Sequence, residues 1–326
     1  MTASTRPPPQ PGDAAPGRLA QALRDLRWLL LSPPLLADGA FSAPVQRFDA
    51  AETAAIEAWL AQLEENPAAL GAFLARHAAA PLRLGRQAER LLEFFLREGP
   101  THRLVAANLP LRHAPGSQPG TDHTTRGEID YLLEDAAGRP WHWELAVKFF
   151  LCTAEGDVAG AADFVGPDRV ERLPGKLHKL FSRQLAHAAP PPFDDRPWRP
   201  AACTRGWLFY RHDRPRPHCA LLAHDHLCGH WIEPSELDAL PPGRYLHVPR
   251  TGWMAPLRAD GAARPWEGGA VRGEIARMWA GAPPPGVRRW PTAQLVARIE
   301  PEGEAWRETG RWFVVPEGWG QAPAPG

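Results

Sequence analysis

Three strand-like segments follow one another in the middle of this sequence, with helix-forming segments before and after them. The strand-like segments cover residues 103–111, 128–134 and 141–151, and the stretch DAAGR (135–139) between the last two has the composition of a hairpin turn. Successive side chains of a strand point to opposite faces of its sheet. The hairpin therefore determines which side chains of its two strands meet on one face.

Helical segments surround these strands. Apolar residues recur at helical spacing over 18–31, 50–76 and 82–98, and a further helix is predicted over 176–188. The apolar run WLFY (207–210) then predicts a buried strand. The order helix, three strands, helix, strand indicates an α/β or α+β core.

Beyond residue 216 the patterns are weaker. Short strands are expected around Trp231, over 245–248 and over 312–315, and helices are expected over 270–280 and 292–300.

We divide the chain into four parts on these patterns. A disordered tail rich in Pro, Gly and Ala (1–17) precedes an N-terminal helical extension (18–78). The α/β core follows (79–215), and a C-terminal accessory region completes the chain (216–326).

Composition restricts the class of protein. Lys+Arg and Asp+Glu both number 37, so any basic surface must be local. The apolar run 28–36 is too short to span a bilayer and contains two prolines, so no membrane association is expected. The four cysteines show no CxxC spacing and follow no secretory signal, which favours reduced thiols and a cytoplasmic location. The sequence gives no indication of oligomeric state.

Lysine usage locates a candidate site. Lys148, Lys176 and Lys179 are the only lysines among the 37 basic residues, which leaves 37 − 3 = 34 arginines. In a chain so rich in arginine, a retained lysine indicates a position where a compact or deprotonatable ammonium group is needed. All three lysines lie within one segment, 148–179.

Two acidic residues are expected to meet across the hairpin. If the hairpin is centred on Ala137, Asp130 lies opposite Glu144, with about 4.5–5.5 Å between opposed Cβ atoms. Two carboxylates this close repel one another unless a proton or a divalent cation lies between them. Incomplete sets of carboxylate oxygens suit Mg²⁺ or Mn²⁺.

A lysine shares the face of this pair. Glu144, Ala146 and Lys148 alternate along one strand, so the Lys148 ammonium could hold an attacking water or neutralise charge on a phosphorane-like transition state. A solvated hairpin face of mixed charge is the alternative. The strongly apolar opposite face of the strand (Trp143 to Phe149) favours an enclosed cluster over that alternative.

Two flanking helices supply further candidates. Glu89 lies at the border of the apolar face of its helix, and Gln184 lies on the inward face of its own. A buried amide needs hydrogen-bond partners, which a carboxylate cluster, a phosphate or neighbouring backbone would supply equally well. Asp168 and Lys176 are expected to border the same pocket.

The pattern of Asp130 on one strand and Glu-x-x-x-Lys on the next resembles the PD-(D/E)XK nuclease superfamily. More specifically, the sequence resembles an uncharacterised bacterial family of unknown function assigned to that superfamily. The similar blocks are RDLRWLLLSPPLL (24–36), LGRQAERLLEFFL (84–96), GEIDYLLED (127–135), WELAVKFFL (143–151), FVGPDRVERLPGKLHKLFSRQL (164–185) and HLCGHW (226–231).

This resemblance implies a restriction-endonuclease-like core over 79–215 and a nuclease that hydrolyses phosphodiester bonds of DNA or RNA with Mg²⁺ or Mn²⁺. It implies that Asp130 and Glu144 are metal ligands. Glu89 would match the acidic residue of the first core helix, and Gln184 a glutamine of the second.

The chain departs from the usual superfamily motif at one position. The motif has lysine two residues after the glutamate, where this chain has Ala146. Lys148 restores the charge on the same face, one pleat repeat or about 6.6–6.8 Å further along the strand. Catalytic competence is therefore left open.

Two other functional classes remain as alternatives. The first is a non-catalytic nucleic-acid-binding or scaffold protein that retains the nuclease fold. The second is a zinc-stabilised interaction module in the segment 218–230 (HCALLAHDHLCGH), where possible ligands would alternate along one face of a strand. These possible ligands are His224, His226, Cys228 and His230.

A basic segment precedes that histidine-rich one. Residues 196–218 contain six arginines and one aspartate, with Trp198 and Trp207 interleaved. Such a segment could follow a phosphate backbone, or it could form a solvated, proline-rich loop.

Overall fold

A mixed sheet of eleven strands runs through the residues that the computed structural model describes, which are 15–76, 83–112, 125–281 and 291–321. The strands are β1 His102–Arg112, β2 Thr125–Asp135, β3 Pro140–Cys152, β4 Phe164–Val165, β5 Arg199–Arg211, β6 Leu227–Ile232, β7 Arg244–Val248, β8 Arg258–Asp260, β9 Trp266–Glu267, β10 Gln294–Glu302 and β11 Ala305–Val314.

Six α-helices accompany the sheet in the same described ranges. They are α1 Ala15–Leu31, α2 Ala50–Glu65, α3 Ala68–Ala75, α4 Leu84–Glu98, α5 Leu173–Lys179 and α6 Val271–Ala280. Helix α5 continues directly into a π-helical turn, Leu180–Gln184. The expectation of a mixed α/β fold is confirmed.

The strand order is β1-β2-β3-β5-β6-β11-β10-β7-β9, with β4 paired to β3 and β8 paired to β11. The first three strands are antiparallel neighbours, whereas β3, β5, β6 and β11 pair in parallel. Parallel neighbours need a crossover connection. The segment that contains α5 provides this crossover between β3 and β5.

The hairpin between β2 and β3 has the predicted register. Tyr131 pairs with Trp143 and Leu132 pairs with His142, as a turn centred on Ala137 requires. In the turn, Gly138 has φ +73°, a left-handed conformation that glycine adopts without strain. The predicted hairpin is confirmed.

Strand β5 approaches β3 closely beside Lys148. A Cβ atom added at Gly206 would lie 1.9 Å from the carbonyl oxygen of Lys148, so only glycine fits there. Because β5 is buried along most of its length, this contact fixes the backbone of β3 at the position of the lysine.

Helices α1, α2 and α4 cover one face of the sheet. Helix α4 buries Ala88, Leu91, Leu92 and Phe95, which recur at helical spacing on its inner face. The same hydrophobic core extends to Phe209 of β5 and to residues of the C-terminal strands. Sheet and core are thus continuous across residue 215, because β5 and β6 pair directly.

Two predicted helices need correction. The helix expected over 50–76 is two helices, α2 and α3, because Pro67 lacks a backbone N–H and disfavours helical conformation at the residue before it. The helix expected over 292–300 is strand β10. Its apolar run is short, and a short apolar run is compatible with a helix or a strand. Pairing with β7 and β11 determines that this one is a strand.

The predicted disordered tail, 1–17, lies outside the described residues up to residue 14, and α1 begins at Ala15. Within the described ranges, no helix has the length and apolar character needed to cross a membrane.

A buried carboxylate connects the N-terminal helices to the C-terminal part of the fold. Asp25 of α1 is fully buried and accepts hydrogen bonds from Gln21 Nε2 (2.9 Å), Gln87 Nε2 (2.9 Å) and the Ala255 backbone N–H (3.2 Å). Burial raises the pKa of Asp25 to about 6, although these donors oppose the shift. The folded protein therefore binds this proton more tightly than the unfolded chain does.

We expect Asp25→Asn to change how stability depends on pH. Because folding raises this pKa, wild-type stability falls as the pH rises from about 4 to about 6. The shift corresponds to a free energy of unfolding on the order of 3 kcal/mol. Urea unfolding measures the free energy of unfolding of both proteins. Relative to wild type, the free energy of unfolding of Asp25→Asn should increase by this amount between about pH 4 and pH 6. A pH-independent difference would contradict the assignment.

Candidate active site

A cleft of about 900 Å³ opens where β2 and β3 separate. The last paired residues of the two strands are Tyr131 and Trp143. Helix α4 borders the cleft on one side, and α5 with its π-helical turn borders it on the other. Its lining includes Arg86, Glu89, Glu128, Asp130, Lys148, Lys176, Lys179 and Gln184.

Asp130 and Glu144 face each other at the point of separation. Asp130 Oδ2 accepts a hydrogen bond from the Leu145 backbone N–H (2.9 Å), and Glu144 Oε1 accepts one from the Asp130 backbone N–H (3.2 Å). Each carboxylate therefore binds the backbone of the other strand, beyond the end of regular strand pairing. The expectation that these residues lie opposite one another is confirmed.

Glu144 lies beneath the cleft and is fully buried. Gln184 Nε2 donates to Glu144 Oε2 (2.6 Å), and His142 Nε2 lies 2.8 Å from Glu144 Oε1. Of the partners that the sequence left open for the Gln184 amide, the structure has the carboxylate of Glu144. The π-helical turn brings Gln184 to this position, and its Leu185 N–H donates to the Leu180 carbonyl (2.9 Å).

His142 is a residue of the site that sequence reasoning missed. It lies two residues before Glu144, so strand alternation alone places both side chains on one face. Burial lowers the pKa of His142 to about 4, which keeps the imidazole neutral at physiological pH. A neutral ring can orient Glu144 without adding positive charge.

Folding favours protonation of the pair Asp130 and Glu144. Burial raises the pKa of Asp130 well above its usual value, and the charge of Glu144 raises it further. Burial likewise raises the pKa of Glu144 to about 7, although donors from Asp130 and Gln184 oppose the shift. Since two adjacent carboxylates cannot both ionise without a counter-charge, we assign one shared proton to the pair.

Glu89 of α4 lies in the same cleft. Its carboxylate forms an ion pair with Arg86 (2.6 Å), which also lies 3.5 Å from Glu128. Burial raises the pKa of Glu89, and its charge contributes to the raised pKa of Asp130. The Tyr131 hydroxyl donates to the Glu89 carbonyl (2.6 Å) and so fixes α4 against β2.

All three lysines of the chain line this cleft. The expectation that lysine usage marks one location is confirmed. Lys148 and Lys176 both bind Glu171, at 3.7 and 2.6 Å, while the charge of Lys179 lowers the pKa of Glu144. Burial lowers the pKa of Lys148.

Glu171 was not anticipated from the sequence, because it lies in an irregular connection between β4 and α5. Asp168, which was expected to border the same pocket, instead lines a separate cavity of about 140 Å³ with Arg169 and Trp319. That expectation is wrong, because the side chain of Asp168 caps its own turn by accepting from the Val170 N–H (3.0 Å).

The four possible zinc ligands of residues 218–230 do not form a group with metal-ligand spacing. Strand β6 begins only at Leu227, so His224 lies in the preceding turn with its side chain 96% exposed. The His226 ring binds the Tyr210 hydroxyl (2.7 Å) and the Ala223 carbonyl. His230 stacks on Trp312. Strand alternation therefore does not extend over the four side chains, and the expected shared face is wrong.

The basic segment 196–218 does not form one continuous surface. Most of it is strand β5, where Arg205 is buried and donates to the Leu29 carbonyl and to Gln46 Oε1, both at 2.9 Å. Arg196 and Arg211 form ion pairs with Glu134 and Asp213. Neither of the two alternatives describes the whole segment, because most of it is strand and these three arginines have partners within the fold.

Among the described residues, one group of three or more side chains has a spacing compatible with a metal ion, and it lies outside the cleft. Its members are His212, Asp213 and Glu236. The Arg211 guanidinium binds both carboxylates of this cluster. A cation is therefore already in place there, in contrast to the pair Asp130 and Glu144.

The sequence matches the family described as Domain of unknown function (DUF1853) over residues 24–315, so the chain belongs to this family. The match includes every residue of the cleft described above. No curated protein and no solved structure matches the chain.

We expect Asp130→Asn to stabilise the metal-free protein at alkaline pH. The amide removes the like charge beside Glu144, yet its oxygen can still accept from the Leu145 N–H. Because both pKa values are raised by folding, the wild-type protein loses stability as the pH rises through about 7. The variant should therefore gain stability relative to wild type between about pH 5 and pH 8.

Thermal and urea unfolding in EDTA at both pH values measure this difference. A variant that is equally destabilised at acidic and alkaline pH would show that Asp130 and Glu144 do not repel one another in the folded protein.

Proposed function

We propose that this protein is a divalent-metal-dependent phosphodiesterase related to the PD-(D/E)XK nucleases, acting on DNA or RNA. The observation that carries the proposal is the placement of Asp130 and Glu144. They occupy the opening between two antiparallel strands, under a cleft lined by all three lysines of the chain.

The order of elements around the cleft supports this proposal. Helix α4 precedes the antiparallel strands β1, β2 and β3, and α5 then connects β3 to the parallel neighbour β5. This is the order expected for a restriction-endonuclease-like core. We propose that the N-terminal helices and the strands after β5 are additions to such a core.

The chemistry of the carboxylate pair suits Mg²⁺ or Mn²⁺. Asp130 and Glu144 provide hard oxygen ligands, and at neutral pH a proton compensates their mutual repulsion. A dication would replace that proton. When bound, it would polarise a phosphodiester and lower the pKa of a bound water.

The surrounding side chains have separate roles in this proposal. Gln184 and His142 orient Glu144 through its two oxygens. Lys148 neutralises negative charge on the phosphate that enters the cleft. Glu89, with its raised pKa, lies where it can assist proton transfer at the opposite wall.

A non-catalytic nucleic-acid-binding protein with the same fold is the second candidate. The observation in its favour is Ala146, which stands where a lysine completes the usual nuclease motif. The nearest lysine on that strand, Lys148, forms its ion pair with Glu171. Metal binding and cleavage measurements distinguish the two candidates.

Manganese binding should depend on Asp130. Isothermal titration of wild-type protein at about pH 7.5 should show one Mn²⁺ site that Asp130→Asn removes, because the amide lacks the negative charge that holds a hard cation. Asp157→Asn, which changes an exposed aspartate, is the matched control and should bind Mn²⁺ normally. Equal Mn²⁺ affinity in all three proteins would favour the non-catalytic candidate.

Lysine 148 should affect cleavage more than substrate binding. With Mg²⁺ or Mn²⁺, Lys148→Ala should slow cleavage of DNA or RNA by roughly 100-fold, because a contact to developing charge acts mainly on rate. Lys148→Arg should restore little, since a planar guanidinium does not replace a compact ammonium. Unchanged cleavage by Lys148→Ala would contradict this role. Absence of cleavage by the wild type on single- and double-stranded substrates would support the second candidate.

A further inference from the structure

The carboxylate of Glu171 lies between the ammonium groups of two lysines, Lys148 and Lys176, that line the cleft. Its Oε1 is 2.6 Å from Lys176 Nζ, and its Oε2 is 3.7 Å from Lys148 Nζ. Two cations from different elements, β3 and α5, thus converge on separate oxygens of one anion. A phosphodiester also presents two anionic oxygens on one centre, so the same pair of lysines matches its charge and its shape.

Positive charge exceeds negative charge on this side of the cleft. Lys148, Lys176, Lys179 and Arg183 all contribute to its lining. Glu171 balances one of these four cations, and the pair Asp130 and Glu144 with its one shared proton balances another, which leaves 4 − 2 = +2. Glu89 and Glu128 lie with Arg86 on the α4 side. The α5 side therefore favours a further anion or a larger one.

Glu171 can leave the two lysines without any change of fold. Its backbone is fixed, because its carbonyl accepts from the Gly166 N–H (2.8 Å) and the adjacent Arg172 bridges to Val165. Its side chain, in contrast, is 38% exposed. Rotation about side-chain bonds is enough to move the carboxylate into solvent.

We propose that Lys148 and Lys176 form a phosphate subsite, which Glu171 fills in the free protein and leaves when a phosphodiester of a nucleic acid enters. This inference rests on the proposed function, since it names the substrate group that the cleft recognises. Glu171 acts as an internal competitor for that group.

Binding of labelled oligonucleotides in EDTA tests the subsite separately from metal-dependent cleavage. Fluorescence anisotropy would compare oligo-dT and oligo-rU of roughly 12 nucleotides across a range of salt concentrations. The proteins are wild type, Glu171→Gln, Lys176→Ala and Glu64→Gln. Glu64 is a matched control, because it pairs with Arg27 (3.0 Å), is similarly exposed and lies outside the cleft.

Glu171→Gln should bind the oligonucleotides about threefold more tightly or better, since one partly exposed ion pair no longer competes. Glu64→Gln removes the same formal charge and should change affinity by less than this. Lys176→Ala should bind more weakly. Its plot of log K against log salt concentration should be shallower than that of wild type by about 0.7, because one phosphate contact is lost. Equal gains on both oligonucleotides support recognition of phosphate alone, and a gain confined to oligo-rU supports a subsite specialised for RNA.

Two results would overturn the subsite. One is an affinity of Glu171→Gln equal to that of Glu64→Gln, combined with an unchanged salt slope in Lys176→Ala. The other is failure of every protein to bind either oligonucleotide. Neither result decides the hydrolysis proposal, which manganese binding and cleavage test independently. Thermal unfolding of each variant checks that its fold is retained.

Discussion

Two carboxylates, the fully buried Glu144 and the half-buried Asp130, replace strand pairing at the point where β2 and β3 separate. Asp130 and Glu144 each accept a hydrogen bond from the backbone of the opposite strand. Without these acceptors, the backbone N–H groups of Asp130 and Leu145 would lose their hydrogen-bond partners within the protein. The opening between the strands creates the cleft, and α4 and α5 form its two walls. The position of the acidic pair is therefore part of the fold as well as of its chemistry.

Without a bound cation, the pair Asp130 and Glu144 lowers the free energy of unfolding. Glu144 is fully buried, and both its pKa and that of Asp130 are raised. Two of the three nearby lysines form ion pairs with Glu171 rather than with this pair. This arrangement lowers the stability of the folded protein. It favours binding of a cation, because a ligand of opposite sign compensates the negative charge of the two carboxylates.

Much of this site could be predicted from the sequence because its residues are related by local geometry. Hairpin composition sets the register of β2 and β3, and the register places Asp130 opposite Glu144. The retention of three lysines in an arginine-rich chain independently indicates the same cleft. Glu171 could not be predicted, since an irregular connection brings it to the cleft. Strand β10 was missed because its apolar run is short, so its conformation depends on pairing with β7, which lies far earlier in the chain, and with β11, which follows directly.

The central claim is that Asp130 and Glu144 hold one divalent cation. The most direct measurement is an anomalous difference map from a crystal of the wild-type protein soaked in Mn²⁺ at about pH 7.5. The account predicts one peak between the two carboxylates, with Gln184 and His142 still beside Glu144. A map without density at this pair, or with its peak only at His212, Asp213 and Glu236, would contradict the account.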